Sequence, residues 1–172
     1  MDSITIDDAL VTRVTTLGDA LRARGWRLAT AESCTGGLLA GTCTAPAGAS
    51  DWFDAGFVTY ANAAKSGLLG VPDALIAQHG AVSSEVADAM ARGALAHAKV
   101  QLALSITGVA GPGGGSAAKP VGTVWVGLAC MQDGGQVASR TERLQLDGDR
   151  AAIRAQTVAI ALQRLVDVAS AR

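Results

Sequence analysis

The chain has 172 residues, 49% of them hydrophobic and 17% charged. That balance predicts one folded domain, 1–172, with a real core, and excludes a disordered chain. A formal net charge of -1 gives no general attraction to nucleic acid or an anionic membrane.

In chain order, the first amphipathic segment spans roughly 7–24. It places Leu10, Val14, Leu17 and Leu21 on one helical face, with Gly25 as the C-terminal cap. Residues 26–30 read as a short strand, and a helix over about 36–44 ends before Pro46. Residues 47–50 are a loop, and 56–60 form a second strand. Asn62 is placed as the N-cap of a short helix through Leu69. Another short helix opens at Pro72 and closes at His79-Gly80. Ser83 caps the next, whose buried side carries Val86, Met90, Ala94 and Ala98. Residues 100–107 are apolar enough for a central strand and run into a loop with five glycines between Gly108 and Gly115. Strands at 121–130 and 137–146 flank an Asp133-Gly134-Gly135 turn, and Arg140, Glu142 and Arg143 mark the second as an exposed edge. A final helix runs over about 150–169.

This alternation predicts an α/β fold: a three-layer α/β/α domain with a mixed, mostly parallel central sheet. The strand order is not legible. No apolar run reaches membrane-span length. Three cysteines without a Cys-x-x-Cys pair, and no secretory signal in Met1–Ile6, suit reduced thiols and a cytoplasmic location.

Chemistry-bearing residues fall at the C-terminal ends of three of these strands. Ser33 follows the first, Tyr60, Asn62 and Lys65 the second, and Thr107 with the glycines the third. Strand C-termini are where open α/β sheets bind ligands. Ser33 reads either as a nucleophile, with amides near Gly36 and Gly37 as oxyanion donors, or, like Thr35, as a helix cap. Cys34 competes for the nucleophile role, and its bland reading is a small buried thiol. Lys65 is either a solvated helix residue or, if desolvated beside Ser33, a neutral amine able to act as a base. Tyr60 is either a core aromatic or a hydrogen-bond partner for Lys65 or substrate.

The glycine loop lacks the Gly-Lys-Ser/Thr of a P-loop and the ordered Gly-x-Gly-x-x-Gly pattern. It is either a phosphate cradle or a flexible connection. A Ser–His–Asp triad needs His79 to fold back on Ser33. No histidine has a second ligand at zinc-like spacing, so no metal is expected.

Five blocks together carry a resemblance: Thr30-Ala31-Glu32-Ser33-Cys34-Thr35-Gly36-Gly37, Phe57-Val58-Thr59-Tyr60-Ala61-Asn62-Ala63-Ala64-Lys65, His79-Gly80-Ala81-Val82-Ser83, Ile106-Thr107-Gly108-Val109-Ala110-Gly111-Pro112-Gly113-Gly114 and Lys119-Pro120-Val121-Gly122-Thr123-Val124. The chain resembles the CinA C-terminal domain family over nearly its whole length. The resemblance implies hydrolysis of the carboxamide of nicotinamide mononucleotide to nicotinic acid mononucleotide and ammonia, with no cofactor. It implies Ser33 as nucleophile and Lys65 as general base, supported by Tyr60 and Thr107. The substrate-contacting set it implies is Glu32, Thr35, Gly36, Gly37, Asn62, Gly108, Gly111, Gly113, Gly114 and Arg150, the last meeting the phosphate. Some family chains carry an N-terminal pyrophosphatase domain, for which 172 residues leave no room. The expected partner is a small nucleotide, not nucleic acid or membrane, with a homo-oligomer allowed. A nucleotide-binding or competence-related interaction module without hydrolysis is the alternative, distinguished by whether Ser33 and Lys65 approach each other.

Overall fold

A computed structural model describes residues 7–171; the Met1–Ile6 reading lies outside them. Five strands, β1 (Leu28–Glu32), β2 (Phe53–Val58), β3 (Leu102–Gly108), β4 (Thr123–Met131) and β5 (Val137–Gln145), form one sheet in the order β2-β1-β3-β4-β5. β1 pairs in parallel with β2 and β3, whereas β4 is antiparallel to β3 and β5. Four strands therefore share one direction and β4 alone opposes them. The helices are α1 (Asp8–Arg24), α2 (Leu38–Cys43), α3 (Asn62–Leu69), α4 (Asp73–His79), α5 (Ser84–Ala98) and α6 (Arg150–Ser170).

Strand alternation separates two cores. Leu28, Leu102, Leu104, Ile106, Val124, Val126 and Leu128 meet α1, α2 and α6 on one face. Ala29, Ala31, Ala103 and Ala129 face α3, α4 and α5 on the other. The second face is built from small residues because α5 runs close to the sheet. A Cβ at Gly127 would sit 2.4 Å from the Ala87 carbonyl oxygen, and Ser105 Oγ donates to that same oxygen at 2.6 Å. The expected three layers and mixed sheet are observed, and β5 is an exposed edge strand.

Local signals explain most element ends. The Asp7 carboxylate accepts from the Leu10 amide at 2.8 Å, Gly25 closes α1 at φ 63°, and Ser83 caps α5. Several boundaries differ from expectation, three of them around β1, β2 and α3. β1 starts at Leu28 instead of 26, because the Trp26 amide is spent on closing α1, donating to the Leu21 carbonyl at 2.9 Å. β2 starts three residues early, since Phe53 pairs with Leu28. Asn62 is the first residue of α3, whose N-cap is Ala61 with no side-chain bond.

β2 and β3 lie on opposite sides of β1. The link from β1 to β2 carries α2 on one face, and the return to β3 carries α3, α4 and α5 on the other. The chain thus switches direction at the C-terminal ends of β1 and β3, which opens a crevice there. Among the described residues no helix is long and apolar enough to cross a membrane.

Candidate active site

Ser33 is the first residue beyond β1, and its amide donates to the Ile106 carbonyl of β3 at 3.0 Å. The turn that follows is set by glycines: Gly36 and Gly37 have φ of 61° and 97°, a region that side chains other than glycine rarely adopt. α2 can therefore begin only at Leu38. Glu32 organises this turn. Only 1% exposed, its carboxylate accepts from the amides of Gly37 and Leu39 at 3.1 Å and of Ala40 at 2.8 Å. Three amides and the N-terminal end of α2 compensate its charge.

That arrangement corrects the oxyanion expectation. The Gly37 amide is taken by Glu32, and the Gly36 amide donates to the Ser33 carbonyl at 3.0 Å. Among the described residues the amides of Cys34 and Thr35, in the same turn, have no carbonyl acceptor. Neither Ser33 nor Thr35 caps the helix.

Lys65 extends from α3 under this turn and is 1% exposed. Its Nζ lies 3.1 Å from Ser33 Oγ, 2.8 Å from the Thr59 carbonyl and 3.3 Å from the Tyr60 carbonyl. Among the described residues no carboxylate reaches ion-pair distance of it. Burial pulls its pKa below the ordinary 10.5, opposed in small part by the Cys34 thiol. Cys34 moves the other way. Burial, ahead of every other influence, pushes its thiol up to about 11; Glu32 adds to this, while its own amide, Arg154 and Arg150 oppose it. The lysine is poised toward its neutral form and the cysteine is held as an inert thiol.

A cavity of about 300 Å³ opens over the pair, lined by Ser33, Cys34, Tyr60, Asn62, Lys65, Ala81, Val82, Thr107, Gly108, Val109, Ala110, Gly111, Gly113, Gly114 and Arg150. The glycine loop forms one wall. Arg150, the first residue of α6, spans the mouth: Nη1 donates to the Gly111 carbonyl at 2.9 Å and Nη2 to the Tyr60 hydroxyl at 3.0 Å. Tyr60 thus meets Lys65 through its carbonyl, and its ring points to Arg150. Thr107 Oγ1 donates to the Ala81 carbonyl at 2.8 Å, which holds the opposite wall against the end of β3.

Four expected substrate contacts, Glu32, Thr35, Gly36 and Gly37, do not line the cavity; they build the turn behind Ser33. His79 does not approach Ser33, its Nδ1 lying 3.5 Å from Glu85. Three larger cavities, about 470 Å³ beside Trp26 and Cys130, about 570 Å³ between α1 and α6 and about 350 Å³ beside His79 and Ser84, join no nucleophile to a base. In the last, Ser83 Oγ donates to the Gly80 carbonyl, Ser84 Oγ meets Thr141 and His79 faces Glu85. Among the described residues no three metal-ligating side chains cluster.

One residue was missed by the sequence reading. Arg154, one turn beyond Arg150, donates from Nη2 to the Thr35 carbonyl at 3.0 Å. No motif signals it, because the contact joins positions 119 residues apart.

Comparison with known proteins agrees with this architecture. Residues 11–169 match the CinA C-terminal domain. The nicotinamide-nucleotide amidohydrolase PncC of Pseudomonas putida is 52% identical over 161 residues, covering 94% of this chain and 98% of that protein. The protein of the same name from Escherichia coli K12 is also 52% identical, over 87% of this chain and 88% of its own. The crystal structure of the competence/damage inducible protein CihA from Agrobacterium tumefaciens superposes with a TM-score of 0.88 at 39% identity, covering 98% and 99% of the two chains. The chain belongs to the CinA C-terminal domain family.

Proposed function

We propose that this protein is a nicotinamide-nucleotide amidase, hydrolysing the carboxamide of nicotinamide mononucleotide to the acid and ammonia. The observation that carries the reading is the 3.1 Å contact between Ser33 Oγ and the buried Nζ of Lys65. The names of the relatives at 52% identity supply the substrate class. A cavity of about 300 Å³, at the small end of ligand sites, suits a mononucleotide better than a dinucleotide.

A neutral Lys65 has two N–H groups and one lone pair. The carbonyls of Thr59 and Tyr60 take the two N–H groups, which leaves the lone pair for the Ser33 hydroxyl. Ser33 Oγ attacks the carboxamide carbon as its proton passes to Lys65. The oxyanion falls to the Cys34 and Thr35 amides. The Lys65 ammonium then protonates the departing nitrogen, which leaves as ammonia, and the acyl group stays on Ser33 as an ester. Water repeats the sequence: Lys65 takes its proton, hydroxide adds to the ester, and Ser33 leaves with the proton returned. Arg150, at the mouth, meets the phosphate with the donors left free by Tyr60 and Gly111.

A binding module without hydrolysis has no use for a desolvated lysine aimed at a serine. The test is ammonia release by the purified chain on nicotinamide mononucleotide, with nicotinamide and glutamine as controls. Release from the nucleotide alone is expected; equal release from nicotinamide, or none from any of the three, overturns the reading.

A further inference from the structure

The Ser33 turn contains a chain of peptide groups with a cation at one end. Arg154 Nη2 donates to the Thr35 carbonyl at 3.0 Å. The same peptide unit carries the Gly36 N–H, which donates to the Ser33 carbonyl at 3.0 Å. That next peptide unit carries the Cys34 N–H, which has no carbonyl acceptor among the described residues and only its own thiol beside it. Each bond polarises the following one in the same sense, because drawing charge onto a carbonyl oxygen makes the N–H of its own peptide a stronger donor. The chain starts on a guanidinium and ends on an amide beside the nucleophile.

Three further features fit a task beyond packing. Arg154 is half-buried and, among the described residues, lies within ion-pair distance of no carboxylate. Its Nε is buried with no hydrogen-bond partner among the described residues, which is rare for a buried polar atom. Gly36 gives it room: a Cβ there would stand 3.4 Å from Nη2.

We propose that Arg154 is a positioning residue for the amidase reaction, acting through the Thr35–Gly36 and Ser33–Cys34 peptides to strengthen the Cys34 amide as oxyanion donor. The inference rests on Ser33 being the nucleophile. Because the effect lies on the oxyanion and not on the base, it reaches the transition state without altering substrate binding or the lysine's ionisation.

The test compares Arg154→Met, Arg154→Gln and Arg154→Lys with the wild type, each checked for an unchanged melting temperature. Two rates are measured: kcat and KM for nicotinamide mononucleotide against pH, and phosphonylation of Ser33 by a fluorophosphonate. In the second reaction Ser33 Oγ bonds to phosphorus, fluoride leaves and Lys65 takes the proton, so no nucleotide is needed. Deleting an oxyanion donor outright lowers rates by about 100-fold or more, and losing the roughly 10–30% that such polarisation adds to it should give about two- to eightfold. Arg154→Met is expected to lower the kcat plateau and the phosphonylation rate by that same factor, with KM and the pH midpoint unmoved, and Arg154→Lys should recover part of it. If Arg154→Met fails to fold, Arg154→Gln carries the test, since it keeps an N–H for Thr35 but no charge; a loss of about threefold is expected. Unchanged rates in folded variants, a higher KM at constant kcat, or a pH midpoint that moves with the loss would each overturn the proposal. So would a wild-type Ser33 that does not react. If the nucleotide is no substrate but phosphonylation still falls in Arg154→Met, the amidase reading fails and this inference stands.

Discussion

Lys65 brings an amine that ordinarily holds its proton to 10.5 into a site where burial lowers that value. At the usual lysine value, under about one molecule in a thousand would hold a neutral amine at pH 7. The rate should therefore rise through one ionisation below 10.5, as the pH profile of the wild type will read. Lys65→Arg should lose the rate by about 1000-fold or more, because a guanidinium keeps its proton throughout; near-wild-type turnover would end the serine–lysine mechanism. The same shift has a stability sign. The unfolded chain binds the lysine proton more tightly than the folded one, so folding gains stability as pH rises between the lowered native value and 10.5. Lys65→Met removes that dependence. Its melting temperature relative to wild type should be highest near neutrality and decline toward pH 10.5. Beside it, Ser33→Ala should abolish turnover while nucleotide binding stays measurable, and Cys34→Ser should keep turnover. The reverse ranking would pass the nucleophile to Cys34, against a thiol pushed up to about 11.

Elements place these residues, and their legibility followed the range of the forces involved. Caps at Gly25 and Ser83 and the central strand β3 are short-range features, and the sequence showed them. The start of α2 was not legible, because two glycines that look like helix residues are in the left-handed region. Nor was the work of Glu32, whose carboxylate reaches amides five to eight residues ahead, or that of Arg154, which depends on tertiary packing. The Ser33–Lys65 pair was anticipated from the places of both residues after strand ends together with the family resemblance; its geometry depends on how α3 crosses α5. There a Cβ on Gly93 would lie 2.1 Å from the Leu69 carbonyl oxygen, while Gly67, on the exposed side of α3, has nothing within 4 Å. Gly93→Ala should destabilise by about 1–3 kcal/mol through overpacking, and lower kcat because it displaces the helix that carries Lys65. Gly67→Ala, the same chemical change, should stabilise by about 0.5–1 kcal/mol by removing backbone freedom. Denaturant titrations with rate assays separate the two; equal effects would deny that the crossing sets the site.

At the scale of the molecule, the site draws on both faces of one sheet. Glu32 and the α2 turn belong to the side of α1, α2 and α6, whereas Lys65 and Thr107 belong to the side of α3 and α5. The two hydrophobic clusters are separate in space but built from alternate residues of the same strands, as with Leu28 and Ala29, or Leu102 and Ala103. Neither cluster can lose its strands without dismantling the other, so unfolding should be a single cooperative event. The tryptophans sample different parts of the fold. Trp52 is buried in the first cluster, Trp26 packs at its margin under Arg24, and Trp125 lies on β4 beside the start of α5. Their fluorescence and the far-UV circular dichroism should report one urea midpoint, and amidase activity should disappear at that midpoint or just below it. If activity and the α3–α5 side were lost well before the Trp52 signal, the two faces would be separate folding units. The site would then lie across a joint between them and not within a single rigid body.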